Sequence, residues 1–552
     1  MTVISSTSGK SSTNAYDAVP YESHPFKQSH PDRLATMATL FGMTPTPVEK
    51  CRVLELGCAS GGNLIPMAYI LPESHFVGVD FSGRQVLDGQ NHIAALGLKN
   101  IELKQMNIMD VDSKLGLFDY IIVHGIYSWV PAAVQDKILQ VCQDLLSPNG
   151  VAYISYNTYP GWHFRGIIRD MMLYHTASAT EFDSSRTQPS DGGLLNTGAL
   201  TGPPARARRA RELMDFLAAA VPTENNAYGI MLQNEVQLVR NAQDSYFLHD
   251  HLEELNDPIY FHQFAERAAS HGMQFLGEAE FSVMLSSNFG TQVHETLSRI
   301  SNEIVRTEQY MDFVRNRAFR QTLLCRQGVV LNRNLKPQTL RPFFISIRPL
   351  KVLPEVNLGS TEPQTFEMDN NVTFNVGNPL TKATLQHLSK VFPCSVKFDD
   401  LVKIAMENVS AVTKQEYSFE VASEEIGRDL MQAFAVSMVA LRSTPDPFVT
   451  AISDHPTSSA LVRYQVQRQN HVTNLLHDAT GVDILNRHII ELLDGSRTKA
   501  QLIDDVIKLI QAGKLNIQSD GVVLKVDEAK QLLQEIIDQA LQNLGRQAVL
   551  IA

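Results

Sequence analysis

A chain of 552 residues is too long for one ordinary domain and predicts three or four. Its 44% hydrophobic content and mean hydropathy of −0.11 fit a globular protein with real cores, and no apolar run approaches the ~18 residues of a membrane helix. A formal charge of −12 works against nonspecific binding to nucleic acid or anionic membrane.

The N-terminus has neither a basic n-region nor an apolar h-region, so no secretory signal is expected. The five cysteines, Cys51, Cys58, Cys142, Cys325 and Cys394, are scattered without a C-x-x-C pair, which fits a reduced, cytoplasmic setting. Residues 1–14, rich in Ser and Thr, read as a disordered tail. Aromatic and proline-rich turns from Tyr16 onward feed a helix near 31–41, with Pro31 in its first turn. In a cofactor-binding fold such a piece covers the pocket; the alternative is a packing segment whose histidines are incidental.

The chain is organised around Val53-Leu54-Glu55-Leu56-Gly57-Cys58-Ala59-Ser60-Gly61-Gly62-Asn63. An apolar strand ends in an acid, then a glycine-rich turn leads into a helix, so backbone N–H groups of the loop can face a ligand. No P-loop lysine is present, which argues against a triphosphate. The spacing also departs from the dinucleotide fingerprint, and Ala59 stands where the commoner Gly-x-Gly-x-Gly of methyltransferases has its middle glycine. Cys58 reads as a small packed residue rather than a nucleophile. A second strand ends at Asp80, where a carboxylate can hold a ribose, and Phe81 can cover one face of an adenine. A third strand runs into Asn107-Ile108, where an amide can meet the adenine edge. The pattern reads as an S-adenosylmethionine site, with NAD or an empty Rossmann-like sheet as alternatives.

Strands are predicted near 52–56, 75–80, 101–106, 118–124 and 150–157, with helices near 62–70, 82–96 and 132–146. This alternation implies a parallel sheet whose ligands gather at the carboxyl ends of the strands. Those ends carry Glu55, Asp80, Asn107, His124-Gly125-Ile126-Tyr127-Ser128-Trp129 and Asn157-Thr158-Tyr159-Pro160-Gly161-Trp162. Trp129 and Trp162, the two tryptophans of the chain, both lie just past strand ends. There they can hold a cationic amine or cap a domain contact.

Farther along, 181–205 is polar and reads as a flexible loop. The run Arg206-Ala207-Arg208-Arg209-Ala210-Arg211 reads as a solvated helix face more than as a nucleic-acid patch. His249-Asp250-His251 lacks the spacing of a zinc site, and no metal is expected. Residues 273–280 read as a strand that can return to the sheet, making 180–257 an insertion. Residues 289–324 read as helical throughout. The fold class is α/β: a Rossmann-like sheet over 15–180 with its N-terminal lid, then a mostly helical middle domain over 206–340 in which 258–285 can rejoin the sheet. A winged-helix-like unit follows over 341–450, with strands near 343–348 and 372–376 and helices near 382–391, 398–408 and 424–442. A helical C-terminal domain completes the chain over 451–552. The winged-helix-like unit is not basic, which favours a protein contact over DNA.

On these residues the chain resembles a class I S-adenosylmethionine-dependent methyltransferase. More narrowly, it is similar to bacterial protein lysine methyltransferases that carry a methyltransferase regulatory domain. The resemblance is carried by Ser29-His30-Pro31-Asp32-Arg33-Leu34, the 54–63 loop, His124-Gly125-Ile126-Tyr127-Ser128-Trp129-Val130-Pro131 and Tyr156-Asn157-Thr158-Tyr159-Pro160-Gly161-Trp162. It continues in His251-Leu252-Glu253, Pro258-Ile259-Tyr260-Phe261, 308–315 and Asn378-Pro379-Leu380-Thr381-Lys382-Ala383.

The resemblance implies that Glu55 and the backbone of Gly57, Ala59 and Gly61, flanked by Asn63, His30, His124 and Gly125, hold the methionine end of the cofactor. It implies that Asp80 holds the ribose, that Phe81 and Ile108 sandwich the adenine, and that Asn107, where the class usually has an acid, meets its amino group. Tyr127 and Asn157 are the candidates for orienting the acceptor, with Trp129, Tyr159 and Trp162 as walls and Tyr16 and His30 closing over the methyl. The implied partners are a protein substrate, in assigned relatives an outer-membrane surface protein, and a second copy of the chain as a homodimer. The rival functions are a small-molecule methyltransferase and a cofactor-binding regulator without catalysis.

Overall fold

Seven strands form the central sheet: β1 (Arg52–Leu56), β2 (His75–Asp80), β3 (Ile101–Gln105), β4 (Phe118–Val123), β5 (Leu146–Asn157), β6 (Met273–Glu278) and β7 (Phe319–Arg326), in the order β3-β2-β1-β4-β5-β7-β6. The computed structural model describes residues 23–177, 203–240, 244–253, 255–351, 355–515, 518–519, 522–523 and 526–552. Strands β1 to β5 are parallel. Their carboxyl ends therefore share one edge, where crossover connections leave a crevice. Alternate residues face opposite sides. Val53, Tyr120, Ile122 and Tyr153 pack with Leu34, Met37, Leu64 and Met67 in one core, while Leu54, Leu56, Ile121, Val123 and Ile154 pack with Ile138, Leu139, Cys142 and Leu145 in the other.

Helix Pro31–Leu40 is capped by His30, whose Nδ1 accepts the Asp32 N–H at 3.1 Å. Helix Ala132–Leu145 presents Gln135, Ile138, Leu139, Cys142 and Leu145 to the sheet at helical spacing. These elements agree with the sequence pattern to within a residue or two.

The last strand in chain order departs from it. Residues 289–324 are not one helical stretch. Helices Thr291–Ile300 and Ile304–Arg315 end at Asn316, which adopts a left-handed φ of 50°, and β7 then runs antiparallel between β5 and β6. Sheet pairing on both edges buries Leu323, Leu324 and Cys325. Arg320 is tolerated on this strand because Glu278, Glu308 and Asp312 surround it, at 2.7, 3.0 and 2.8 Å. Residues 273–278 do rejoin the sheet, as its edge strand.

Between α/β core and β6, helices Trp162–Ala177, Pro203–Ala220, Ala227–Arg240 and Asp244–His251 share a separate apolar core. The arginine-rich run lies on the second of them, with Ala205, Ala207 and Ala210 buried, Arg208 exposed and Arg206 and Arg209 half-buried. Arg211 pairs with Asp244, and Arg208 with Glu212. The predicted loop at 181–205 falls, up to 202, outside the described residues, as do the N-terminal tail and Tyr16.

A three-stranded antiparallel sheet, Phe344–Ile347 between Val396–Lys397 and Val439–Arg442, packs with helices Pro379–Val391, Phe398–Thr413 and Phe419–Ala435. The predicted helix at 424–442 thus ends at Ala435, and its tail is a strand. The C-terminal part has its own core, built on helices Ala460–Val466, Ile484–Leu492, Lys499–Gln511 and Val526–Arg546, and a hairpin of His471–Thr473 with Ala479–Gly481. Among the described residues, no helix is long and apolar enough to cross a membrane.

Candidate active site

A cavity of about 650 Å³ opens at the carboxyl ends of β1 to β5. Of the residues singled out in the sequence, Glu55, Gly57, Ala59, Asn63, Asp80, Phe81, Asn107, Ile108, His124, Gly125, Trp129, Asn157 and Trp162 all line it.

The floor is the glycine-rich turn. Gly57 has φ +77°, and a Cβ there would lie 2.3 Å from Ile126 Cδ1, so neither conformation nor space admits a side chain. Ala59 adopts φ 48° without that freedom. Its N–H donates to Asp80 Oδ2 at 2.8 Å, and Ser82 N–H donates to Asp80 Oδ1 at 2.8 Å, so the tip of β2 holds the loop. Glu55 is 3% exposed. Asn63 Nδ2 donates to its Oε1 at 2.8 Å, while Oε2 is buried without a hydrogen-bond partner. Burial, with a smaller push from Asp80 and an opposing pull from Asn63, raises this carboxyl to about 8. A buried acceptor atom left over at the floor of a cavity matches a cationic ligand group such as the ammonium of an amino acid.

Phe81 and Ile108 flank the adjacent part of the cavity, with Phe81 62% exposed at its mouth. Asn107 Oδ1 accepts the Met109 N–H at 2.9 Å, which leaves the Nδ2 donors for a ligand edge. His124 stacks on Phe26 at 3.7 Å, and its Nδ1 lies 2.9 Å from Tyr153 Oη. Burial drops His124 to about 3, so the ring is neutral. Asn157 Nδ2 donates to Asn256 Oδ1 at 2.8 Å, which fixes the amide at the tip of β5. Trp129 and Trp162 meet edge to face at 6.3 Å, and the Arg165 guanidinium lies 5.5 Å over the Trp162 ring. Burial raises the Cys58 thiol well above its usual range, in keeping with a packed residue.

Four of the sequence candidates stand elsewhere. Tyr127 is fully buried behind the wall, edge-on to Phe264 at 5.3 Å and tilted against Tyr156 at 6.0 Å. Its place in a short 3₁₀ turn, Tyr127–Trp129, turns the tryptophan and not the tyrosine to the cavity. Tyr159 stacks on His163 at 4.1 Å, outside the lining. Gly61 is a turn glycine under the helix, with Ile65 and Leu103 3.1 Å from where a Cβ would sit. His30 faces His477 at 5.1 Å and is not part of the lining.

The cavity also takes residues the sequence reading did not select. Ser23 and Phe26 come from the N-terminal segment, Phe319 from the start of β7, and Arg165 with His249, Asp250 and His251 from the inserted helices. The last three had been weighed as metal ligands, and His251 also as part of the segment that carries the resemblance, but none as cavity lining. Among the described residues, no group of three or more potential ligands is placed to hold a metal ion.

Fold and site meet known proteins along the whole chain. Residues 47–186 match a methyltransferase domain, 243–326 a predicted methyltransferase regulatory domain, and 454–549 the C-terminal winged-helix domain of PKMT. The winged-helix match thus falls on the segment read as the helical C-terminal domain. This is an S-adenosylmethionine-dependent methyltransferase, with a Rossmann-like catalytic domain whose cavity has the lining such a cofactor requires.

The protein RP789 of Rickettsia prowazekii is 36% identical over 546 residues, covering 98% of this chain and 94% of that protein. PKMT2 from Rickettsia typhi is 30% identical and superimposes over 97% of this chain and 100% of its own, with a TM-score of 0.83 alone and 0.84 in complex with AdoHcy, S-adenosylhomocysteine. The chain belongs to the PKMT family of methyltransferases.

Proposed function

We propose that the protein methylates the ε-amino group of lysine side chains in a protein substrate, in the manner its PKMT relatives' name implies. The observation that carries this is the lining of the cavity. Its lining brings together the carboxyl groups of Glu55 and Asp80, the amide of Asn157 and a pair of tryptophans that meet edge to face. Apolar aromatic faces receive the alkyl stem of a lysine, and the loss of water between them favours its neutral amine.

The cofactor supplies an activated methyl group on a sulfonium, so the chain's work is alignment and exclusion of water. In this reading Glu55 holds the ammonium of the methionine end, and the backbone of Gly57 and Ala59 approaches the same end. Asp80 holds the ribose hydroxyls, Phe81 and Ile108 flank the adenine, and Asn107 donates to its edge. Asn157, fixed by Asn256, orients the acceptor nitrogen through its remaining oxygen. Trp129 and Trp162 wall the acceptor, and burial there lowers the amine's proton affinity. His124 stays neutral and adds no competing positive charge. A cytoplasmic enzyme acting on an outer-membrane or surface protein, as a homodimer, completes the proposal.

The test is incubation with cofactor carrying a radiolabelled methyl group and an extract that contains envelope protein. Label in precipitable protein, released as methyl-lysine on hydrolysis, is the expected result. Label confined to soluble small molecules would overturn it.

A further inference from the structure

The cofactor floor is braced by a residue from the far end of the chain. In the hairpin of the C-terminal domain, the loop between His471–Thr473 and Ala479–Gly481 carries His477. Asn474 shapes this loop: its Oδ1 accepts the N–H groups of Leu476 and Asp478, and its Nδ2 donates to Gln547 O. His477 is held at φ 62° and is 2% exposed.

His477 Nε2 lies 2.8 Å from Asn63 Oδ1. Asn63 Nδ2 donates to Glu55 Oε1 at 2.8 Å and to Ser29 Oγ at 3.0 Å, so Oδ1 is the acceptor and Nε2–H the donor. The Phe26 N–H donates to the same Oδ1 at 2.9 Å. Asn63 is therefore gripped from two sides, by the N-terminal segment that lines the cavity and by the hairpin tip. The clamp is closed by Lys27 Nζ, 2.6 Å from Asp478 Oδ2. Without the histidine one of the two donors to Oδ1 is gone, and the Phe26 N–H alone is left to hold the amide with its Nδ2 on Glu55.

We propose that His477 is a positioning residue of the cofactor site: through Asn63 it fixes the Glu55 carboxylate for the amino-acid end of S-adenosylmethionine. The C-terminal domain thereby braces, from outside the lining, the floor of a pocket that other parts of the chain build. This rests on the reading that Glu55 holds the ammonium group.

Calorimetry on the full chain tests it with two ligands, S-adenosylhomocysteine and 5′-methylthioadenosine, which lacks the amino acid. His477→Phe keeps bulk but loses the donor; His477→Gln keeps a donor near the position of Nε2. His477→Phe should weaken S-adenosylhomocysteine by about three- to tenfold, the range of one buried hydrogen bond, and leave methylthioadenosine within about twofold. His477→Gln should restore most of the loss. Equal weakening of both ligands, no weakening of either, or His477→Gln behaving like His477→Phe would overturn the proposal. Glu55→Gln is the control for the reading beneath it. If that variant keeps the preference for the amino-acid-bearing ligand, the Glu55 assignment fails. If it loses the preference while His477→Phe keeps it, only the role of His477 fails.

Discussion

Glu55 makes cofactor binding a proton-linked event. Its carboxyl sits at about 8, chiefly because burial disfavours the charge, with Asp80 adding repulsion and Asn63 opposing both. Near neutral pH the free protein holds it protonated, whereas pairing with an ammonium needs the carboxylate. Binding must then expel a proton, and affinity rises as pH rises toward 8. Below that value the ionised fraction grows about tenfold per pH unit, so affinity for S-adenosylhomocysteine should increase ~30-fold between about pH 5.5 and pH 7.

The ligand's own α-amino group, beside a free carboxylate that favours its charged form, stays an ammonium over this window. His30 and His124, at about 3, and His477, well below its usual range, stay neutral over it. Titration calorimetry in buffers of differing ionisation heat reads both the slope and the proton released, expected to approach one per ligand. Glu55→Gln should flatten the profile. A flat profile in the native protein, or an unchanged slope in the variant, refutes the argument. The same shift has a consequence for the free protein. The protonated carboxyl contributes stability that is full below the unfolded carboxyl value and is lost as pH rises through about 8.

Other expectations follow from the packing. Ala59 sits at φ 48°, so Ala59→Gly should stabilise the free protein by about 0.5–1 kcal/mol in urea denaturation, set against the looser unfolded chain of a glycine. Tyr127 lies behind the wall, so Tyr127→Phe should leave methyl transfer within about twofold, while Asn157→Ala should lower kcat by about tenfold or more with cofactor affinity unchanged. Arg320→Ala would leave the buried Glu308 without its arginine, and Glu278 and Asp312 with Arg317 alone, and should cost about 3–5 kcal/mol by urea denaturation.

The parallel half of the sheet and its strand ends were legible because each strand is a short apolar run stopped by a polar or glycine residue. A parallel sheet puts all those stops on one edge, so Glu55, Asp80, Asn107, His124 and Asn157 converge without knowledge of any side-chain direction. Strand β7 was hidden by its arginine. Arg320 looks solvent-seeking in sequence, and only Glu278, Glu308 and Asp312, from other elements, make it a buried residue. Tyr127, expected to orient the acceptor, and Trp129, expected as a wall, were equally plausible in sequence as residues that face the cavity, since which one does depends on a 3₁₀ turn that has no periodic signature. His249, Asp250 and His251 reach the cavity by folding of inserted helices, and His477 reaches Asn63 across most of the chain. Contacts at such separation leave no local pattern.

The most direct test of lysine methylation is tandem mass spectrometry of an envelope-protein acceptor before and after incubation with the enzyme and S-adenosylmethionine. One or more added methyl groups localised to lysine side chains, and lost with the Glu55→Ala variant, is the result expected. Methyl groups on other residues, or none on protein while a small molecule in the same extract gains one, would contradict the account.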